Sequence, residues 1–176
     1  MAANSPDSHA RQAVRDEIIA LLPRLRLFAR SLTRDAADAD DLLQLTVERA
    51  LVKQEQWTPG TRLDSWMYRI MKNIWIDEIR ARTRRTDVFA PESAGEHVGA
   101  EDPHFEKRLR AMSVEQAMDT LPDEQRLAVG LVLVEGLSYR EAAAVMDVPM
   151  GTLTSRLARG RAALEARLNP QEGSAS

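Results

Sequence analysis

The sequence predicts an all-α protein of two small helical domains, an N-terminal bundle and a C-terminal helix-turn-helix domain, joined by a flexible acidic linker. Apolar residues recur at three- and four-residue spacing along most of the chain, and β-branched runs are scarce. One stretch, "TDVFAPESAGEHVGAEDPH" (86–104), breaks that texture with Pro, Gly, Ser and acids and no helical stripe. The 176 residues suffice for two domains of roughly 70–90 residues each. We expect domains over 11–86 and 105–169, a linker over 87–104, and disordered tails over 1–10 and 170–176.

In order along the chain, residues 11–32 place Val14, Ile18, Leu21, Leu25, Phe28 and Leu32 on one apolar face. "TRDAADADD" ends that helix and supplies acids to the first turn of the next, where the helix dipole favours them. The second helix, about 38–53, is expected to bury Leu42, Leu45 and Ala50. "WTPGTR" is a turn with Pro59-Gly60 as its breaker. Residues 63–85 are helical again, with a break or bend expected near Asn73. After the linker, helicity resumes near Phe105 and runs to Leu168, interrupted at "LPDEQ", "EGLS" and "DVPMGT".

Composition narrows the function classes. The chain is 44% apolar and 29% charged, ordinary for a globular protein, and its net charge of −3 argues against a uniformly basic nucleic-acid-coating protein. Charge is segregated, however: residues 62–85 hold seven Lys/Arg against three acids, and residues 86–106 hold six acids and no Lys/Arg. Such blocks imply separate surfaces for separate partners. With no cysteine, disulfides, thiolate metal sites and cysteine nucleophiles are excluded. His9, His97 and His104 form no metal-ligand spacing, and there is no nucleophile-plus-base arrangement or phosphate-binding glycine loop, so no catalytic residue, metal or cofactor is expected. The polar first thirteen residues do not read as a signal peptide. No run approaches the roughly 18 apolar residues that span a bilayer, and a cytoplasmic protein without membrane insertion is expected.

"SYREAAAVMDVPMGTLTSRLARGRAALEARL" (138–168) is the strongest local signal. Ser138 with Glu141 three residues on makes a capping box, and Ala142, Ala143 and Val145 form a short helix whose small side chains permit close packing. Pro149 ends it and Gly151-Thr152 opens a longer helix, the helix-turn-helix layout. Leu153, Leu157, Leu164 and Leu168 lie on one core-facing stripe, whereas Thr152, Ser155, Arg156 and Arg159 lie on another, where base and phosphate contacts are made. A surface helix with solvated arginines is the plainer reading of the same spacing.

With both halves in view, the chain resembles an extracytoplasmic-function (ECF, group IV) sigma factor, a two-domain bacterial transcription initiation factor. "ADDLLQLTVERA" (39–50) is similar to the family's polymerase-binding helix, "LDSWMYRIMKNIWIDEIRARTRR" (63–85) to its minus-ten melting segment, and "LPDEQRLAVGLVLVEGLSYREAAAVMDVPMGTLTSRLARGRAAL" (121–164) to its minus-thirty-five domain. The resemblance implies core RNA polymerase as partner, through the clamp coiled coil of the largest subunit and the flap of the second-largest, together with promoter DNA and an anti-sigma factor. It assigns polymerase binding to Asp41, Gln44 and Arg49, with Glu48 keeping charge that Leu45 lacks where many relatives carry an acid. First-turn acids favoured by the dipole would explain Asp38, Asp40 and Asp41, but not Gln44 and Arg49.

In the minus-ten segment the resemblance makes Asn73 the trap for an extruded nontemplate base, a role suited to a carboxamide that both donates and accepts. Arg69, Lys72, Arg80, Arg84 and Arg85 would hold phosphates. Asn73 as a plain helix cap is compatible with that role. Trp66, Ile70 and Ile74 share one stripe, which favours burial of Trp66; Trp75 stays open between base contact and anchor. Minus-thirty-five contacts are implied at Thr152, Thr154, Ser155, Arg156, Arg159 and Arg161, Thr154 standing where Lys or Arg is frequent. Asp147 replaces the glycine often found in such turns and tolerates a left-handed backbone. The acidic linker is either a tether or an occupant of the polymerase cleft. A sigma mimic that sequesters an anti-sigma factor would share the fold without needing the basic positions. An ordinary repressor would leave Gln44 and Asn73 unexplained.

Overall fold

A computed structural model of the chain describes residues 6–86 and 114–168. The linker, the expected resumption of helix at 105 and the C-terminal tail therefore lie outside the described residues. What is described is helical: α1 (Pro6–Leu32), α2 (Ala36–Val52), a 3-10 turn (Gln54–Gln56) and α3 (Leu63–Thr86) make the N-terminal domain. The C-terminal domain has a helical stretch at 114–119, then α4 (Asp123–Val129) running into a π-helical segment (Gly130–Val134), α5 (Tyr139–Met146) and α6 (Met150–Leu168).

Local chemistry sets the boundaries. The Asp35 carboxylate accepts from the Asp38 amide at 2.8 Å and caps α2. Gly60, at φ 85°, supplies the left-handed residue of the turn before α3. Ser138 and Glu141 form the expected capping box on α5, and Asp147 takes the left-handed conformation at φ 58° that ends it.

The three long helices bury one stripe each: Ile18, Leu25, Phe28 and Leu32 from α1; Ala39, Leu42, Leu43 and Ala50 from α2; Leu63, Met67, Tyr68, Met71, Ile74 and Trp75 from α3. Phe28 and Tyr68 meet edge to face with centroids 5.1 Å apart. In the C-terminal domain Leu127, Ala128, Leu131, Val145, Leu153 and Leu157 fill the centre, and the two cores merge into one cluster. Gly160 lets α6 approach α4, since a Cβ there would lie 2.7 Å from Val129 Cγ2.

Several expectations change. Leu45 is 42% exposed, not buried, because the buried stripe of α2 runs through Leu42, Leu43, Thr46 and Ala50. The α3 helix is unbroken through Asn73, which sits exposed in its middle between the buried pairs Met71–Lys72 and Ile74–Trp75. Trp66 is half-buried, and Trp75, only 4% exposed, is an anchor in the core. On α6, Leu153 and Leu157 are buried but Leu168 is 39% exposed, beyond the end of its supporting helices.

The two domains pack face to face through polar groups set around the apolar cluster. Arg126, buried, donates to four main-chain oxygens: Leu32 at the end of α1 (3.0 Å), and Met118, Asp119 and Leu121 (3.0, 2.7 and 3.4 Å). Two helix ends thus offer their partial negative charge to one guanidinium across the interface. Burial lowers the Arg126 pKa from its ordinary value, with Asp119 and Asp123 opposing.

Candidate nucleic-acid and polymerase interfaces

The α2 helix leaves Asp41, Gln44, Leu45, Glu48 and Arg49 exposed on the side away from the core. Gln44 Nε2 donates to Glu48 Oε1 at 2.9 Å, and Val52, 83% exposed, extends the surface by a turn. Polar groups framing the exposed leucine and valine suit a protein partner. All four predicted polymerase-binding residues share this helix, but Arg49 turns toward α3.

There Arg49 joins Lys53, Gln56, Trp66, Arg69, Ile70 and Asn73 around a pocket of about 210 Å³. Its residues come from α2, the turn after it and α3. Cationic side chains, two carboxamides and an indole face suit an unpaired base with its phosphate. Helical geometry continues the surface from Arg69 and Asn73 along Asp77, Arg80 and Arg84, all exposed on one stripe of α3, with the exposed Arg85 beside it. Lys53 and Gln56 were missed in the sequence. Their signal was a cation and an amide in the turn directly before "WTPGTR", legible only once α2 and α3 are known to lie side by side.

Lys72 is placed differently. It is 7% exposed, buried where α3 meets the C-terminal domain; burial lowers its pKa while the Asp147 carboxylate opposes the shift. Arg69 also reaches that domain, donating to Ala144 O at 3.2 Å.

On α6, Thr152, Ser155, Arg156 and Arg159 fall on one face, and Thr154 and Arg161 about half a turn away from it. The Thr154 and Ser155 hydroxyls donate back to Met150 O (2.9 Å) and Thr152 O (3.0 Å), and Arg156 pairs with Glu124 at 2.8 Å. Arg159 and Arg161 are exposed. The arrangement thus groups four of the six predicted contacts.

Between the domains lies a second polar group. Tyr68 donates to Glu135 Oε2, and Arg24 lies 3.4 Å from Glu135 Oε2 and 3.6 Å from Asp64 Oδ2. Arg62 pairs with Asp64 at 2.6 Å and also with Glu141. Burial raises the Glu135 pKa, with Tyr68 and Arg24 opposing; burial also pushes Asp64 up, but Arg62 and the Ser65 amide outweigh it and leave Asp64 low. Among the described residues no cluster of His, Asp and Glu is arranged to hold a metal ion, and no helix is long and apolar enough to cross a membrane.

A bundle with an exposed acidic–amide helix, a base-sized cationic pocket and a helix-turn-helix describe a promoter-reading transcription initiation factor. Known proteins agree. The Sigma-70 region 2 family matches residues 18–85 and Sigma-70 region 4 matches residues 111–164. The ECF RNA polymerase sigma factor EcfG of Rhodopseudomonas palustris is 36% identical over 156 residues, spanning 89% of this chain and 85% of that protein. SigE of Mycolicibacterium smegmatis is 39% identical over 143 residues, 78% of this chain and 54% of that longer protein. Among solved structures, the sigma factor RpoE bound to the anti-sigma factor NepR from Bartonella quintana superposes with a TM-score of 0.73 at 31% identity, covering 89% of this chain and 97% of that one. CnrH, in complex with the cytosolic domain of CnrY, shares the fold at a TM-score of 0.68 and 24% identity, covering 91% of this chain and 90% of that one.

The chain belongs to the ECF RNA polymerase sigma factors. As such it binds core RNA polymerase, recognises minus-thirty-five and minus-ten promoter elements and promotes strand opening.

Proposed function

We propose a division of that activity over named residues. The α2 face of Asp41, Gln44, Glu48 and Arg49 docks on the clamp coiled coil of the largest polymerase subunit. The exposed α3 residues Arg69, Asn73, Arg80, Arg84 and Arg85 grip the minus-ten region, joined by Lys72 once the C-terminal domain uncovers it, and Asn73 holds one extruded base in the pocket beside Trp66. The α6 face of Thr152, Ser155, Arg156 and Arg159 reads the minus-thirty-five element, with Thr154 and Arg161 at its margin, while the C-terminal domain meets the flap of the second-largest subunit. The domains at 11–86 and 105–169 work as two readers joined by the linker at 87–104.

The observation that carries this reading is the pocket: Asn73 lines a base-sized recess with three cations, Arg49, Lys53 and Arg69. Strand opening then draws on binding energy alone, since the unpairing of a base costs a few kcal/mol, about what stacking and a pair of directed hydrogen bonds return. No catalytic step is required of the chain. It acts in the cytoplasm, on nucleoid DNA, where core polymerase works. Because the matched RpoE was solved in complex with the anti-sigma factor NepR, we also assign this chain an anti-sigma partner.

Asn73→Ala is the direct test. Asn73 is exposed, so the helix survives its loss. Promoter opening, followed by permanganate footprinting with reconstituted holoenzyme, is expected to fall at least ten-fold, a loss of about 1.4 kcal/mol. Core binding measured by fluorescence anisotropy stays unchanged. Parallel loss of both would make Asn73 structural and remove the base-trap assignment.

A further inference from the structure

The basic face of α3 already has an occupant within the chain. Arg62, immediately before α3, pairs with Glu141; Arg69 donates to Ala144 O; Lys72 is buried, with the Asp147 carboxylate near enough to oppose the effect of burial on its charge. The three opposing groups succeed one another along α5 and its C-cap in the same order as their cations along α3. Glu141 is in the first turn, Ala144 O is one of the end carbonyls that carry the helix's partial negative charge, and Asp147 is the left-handed cap. Three acceptors of negative character thus line about 15 Å of α3, set by the ten-residue span from Arg62 to Lys72.

We propose that α5 is an intramolecular phosphate mimic: in the free chain it occupies the cations at the N-terminal half of α3 and competes with promoter DNA for them. The inference rests on the minus-ten role given above to Arg69 and Lys72. Its consequence is that minus-ten DNA and the C-terminal domain cannot hold Arg69 and Lys72 together, so DNA gains full access only when the domains part. The other groups facing this contact do not remove the competition. Asp64 shares Arg62 but belongs to α3 itself and stays with it when the domains separate, and Arg24 pairs with Glu135 and Asp64 rather than with α5.

The test is the full-length double variant E141Q/D147N. Gln keeps an acceptor for the Ser138 cap, and Asn tolerates the left-handed backbone of position 147. Anisotropy with a fluorescein-labelled oligothymidylate is expected to show roughly five- to ten-fold tighter binding than wild type at about 0.05 M salt, an advantage that shrinks as salt rises. D16N/E17Q, which removes two acids from the exposed part of α1, is expected to give no comparable gain. Adding R69A/K72A to E141Q/D147N is expected to abolish it. Unchanged affinity in E141Q/D147N, or an equal gain in D16N/E17Q, overturns the mimic. If the double variant unfolds, D147N alone carries the same expectation at reduced size, and no gain from it is equally fatal. Failure of the minus-ten assignment is separately visible: holoenzyme carrying R69A/K72A would then open promoters as well as wild type does.

Discussion

At the scale of single residues, Glu135 has the most unusual setting. Its carboxylate lies in the domain interface with Oε2 on Tyr68 and Arg24, while Oε1 is buried without a protein partner. Burial raises its pKa, so the folded chain holds a proton on Glu135 at pH values where the unfolded chain does not. The native state then binds more protons than the unfolded state, and this residue's contribution to stability grows as pH falls from above its folded pKa toward the ordinary glutamate value. Asp64 has the opposite sign: its lowered pKa contributes stability above the ordinary aspartate range, lost only as pH falls through the lower folded value. The windows are therefore separate. In urea unfolding between pH 7.5 and about 5, wild-type stability relative to Glu135→Gln is expected to increase as pH falls; a pH-independent difference would mean that Glu135 does not titrate in that window. No sequence pattern could have marked Glu135, because its partners, Tyr68 and Arg24, are 67 and 111 residues away. The burial of Lys72 was hidden for the same reason: the Asp147 carboxylate that opposes its lowered pKa lies 75 residues away.

At the scale of elements, what was legible was whatever is decided within a few residues. The α5 boundaries followed from Ser138, Glu141 and Asp147, and each does locally what its chemistry requires. Ser138→Ala is expected to cost about 1 kcal/mol in global unfolding, with hydrogen exchange accelerated first at the start of α5, because Ser138 Oγ both accepts from the Glu141 amide and donates to its carboxylate. A loss confined to a few tenths of a kcal/mol would show that the Glu141 side chain alone suffices as cap. The bend expected at Asn73 failed for the converse reason. An asparagine in a helix interior costs at most about 0.7 kcal/mol. Burial of Met71, Ile74 and Trp75 outweighs that, at about 1.5–3 kcal/mol for each large apolar side chain. The α4–α6 crossing was equally hidden, since Gly160 reads in sequence only as a weak helix former. Gly160→Ala adds a Cβ 2.7 Å from Val129 Cγ2. We expect a net loss of about 1–3 kcal/mol in chemical unfolding, strain exceeding the gain of roughly 1 kcal/mol in helix propensity. Neutral or improved stability would mean that Val129 yields freely.

For the whole molecule, the question is what holds the domains together and how easily they part. The seam combines an apolar patch around Phe28 with charged and main-chain hydrogen bonds from Arg24, Arg62, Arg69 and Arg126, a composition closer to a separable interface than to a domain core. Water can replace most of these polar partners on opening, so the apolar patch sets much of the cost. Gly130 sits at its centre: a Cβ there would meet Ser31 Oγ at 2.9 Å and Phe28 Cε2 at 3.1 Å. Ser31 Oγ is held by Phe28 O at 2.7 Å, and the Phe28 ring by its edge contact with Tyr68, so neither yields without loss. Because Gly130 has ordinary helical angles, φ −58° and ψ −47°, alanine there favours the C-terminal domain's own helix by roughly 1 kcal/mol while wedging the seam. The two effects act on different equilibria and can be measured apart. Gly130→Ala is expected to raise the radius of gyration in small-angle scattering, from the closed form toward separated domains, without lowering helix content by circular dichroism. The same variant should bind single-stranded DNA more tightly than wild type, since parting the domains uncovers Arg69 and Lys72. An unchanged radius of gyration would mean that the polar contacts, rather than the fit at Gly130, govern closure.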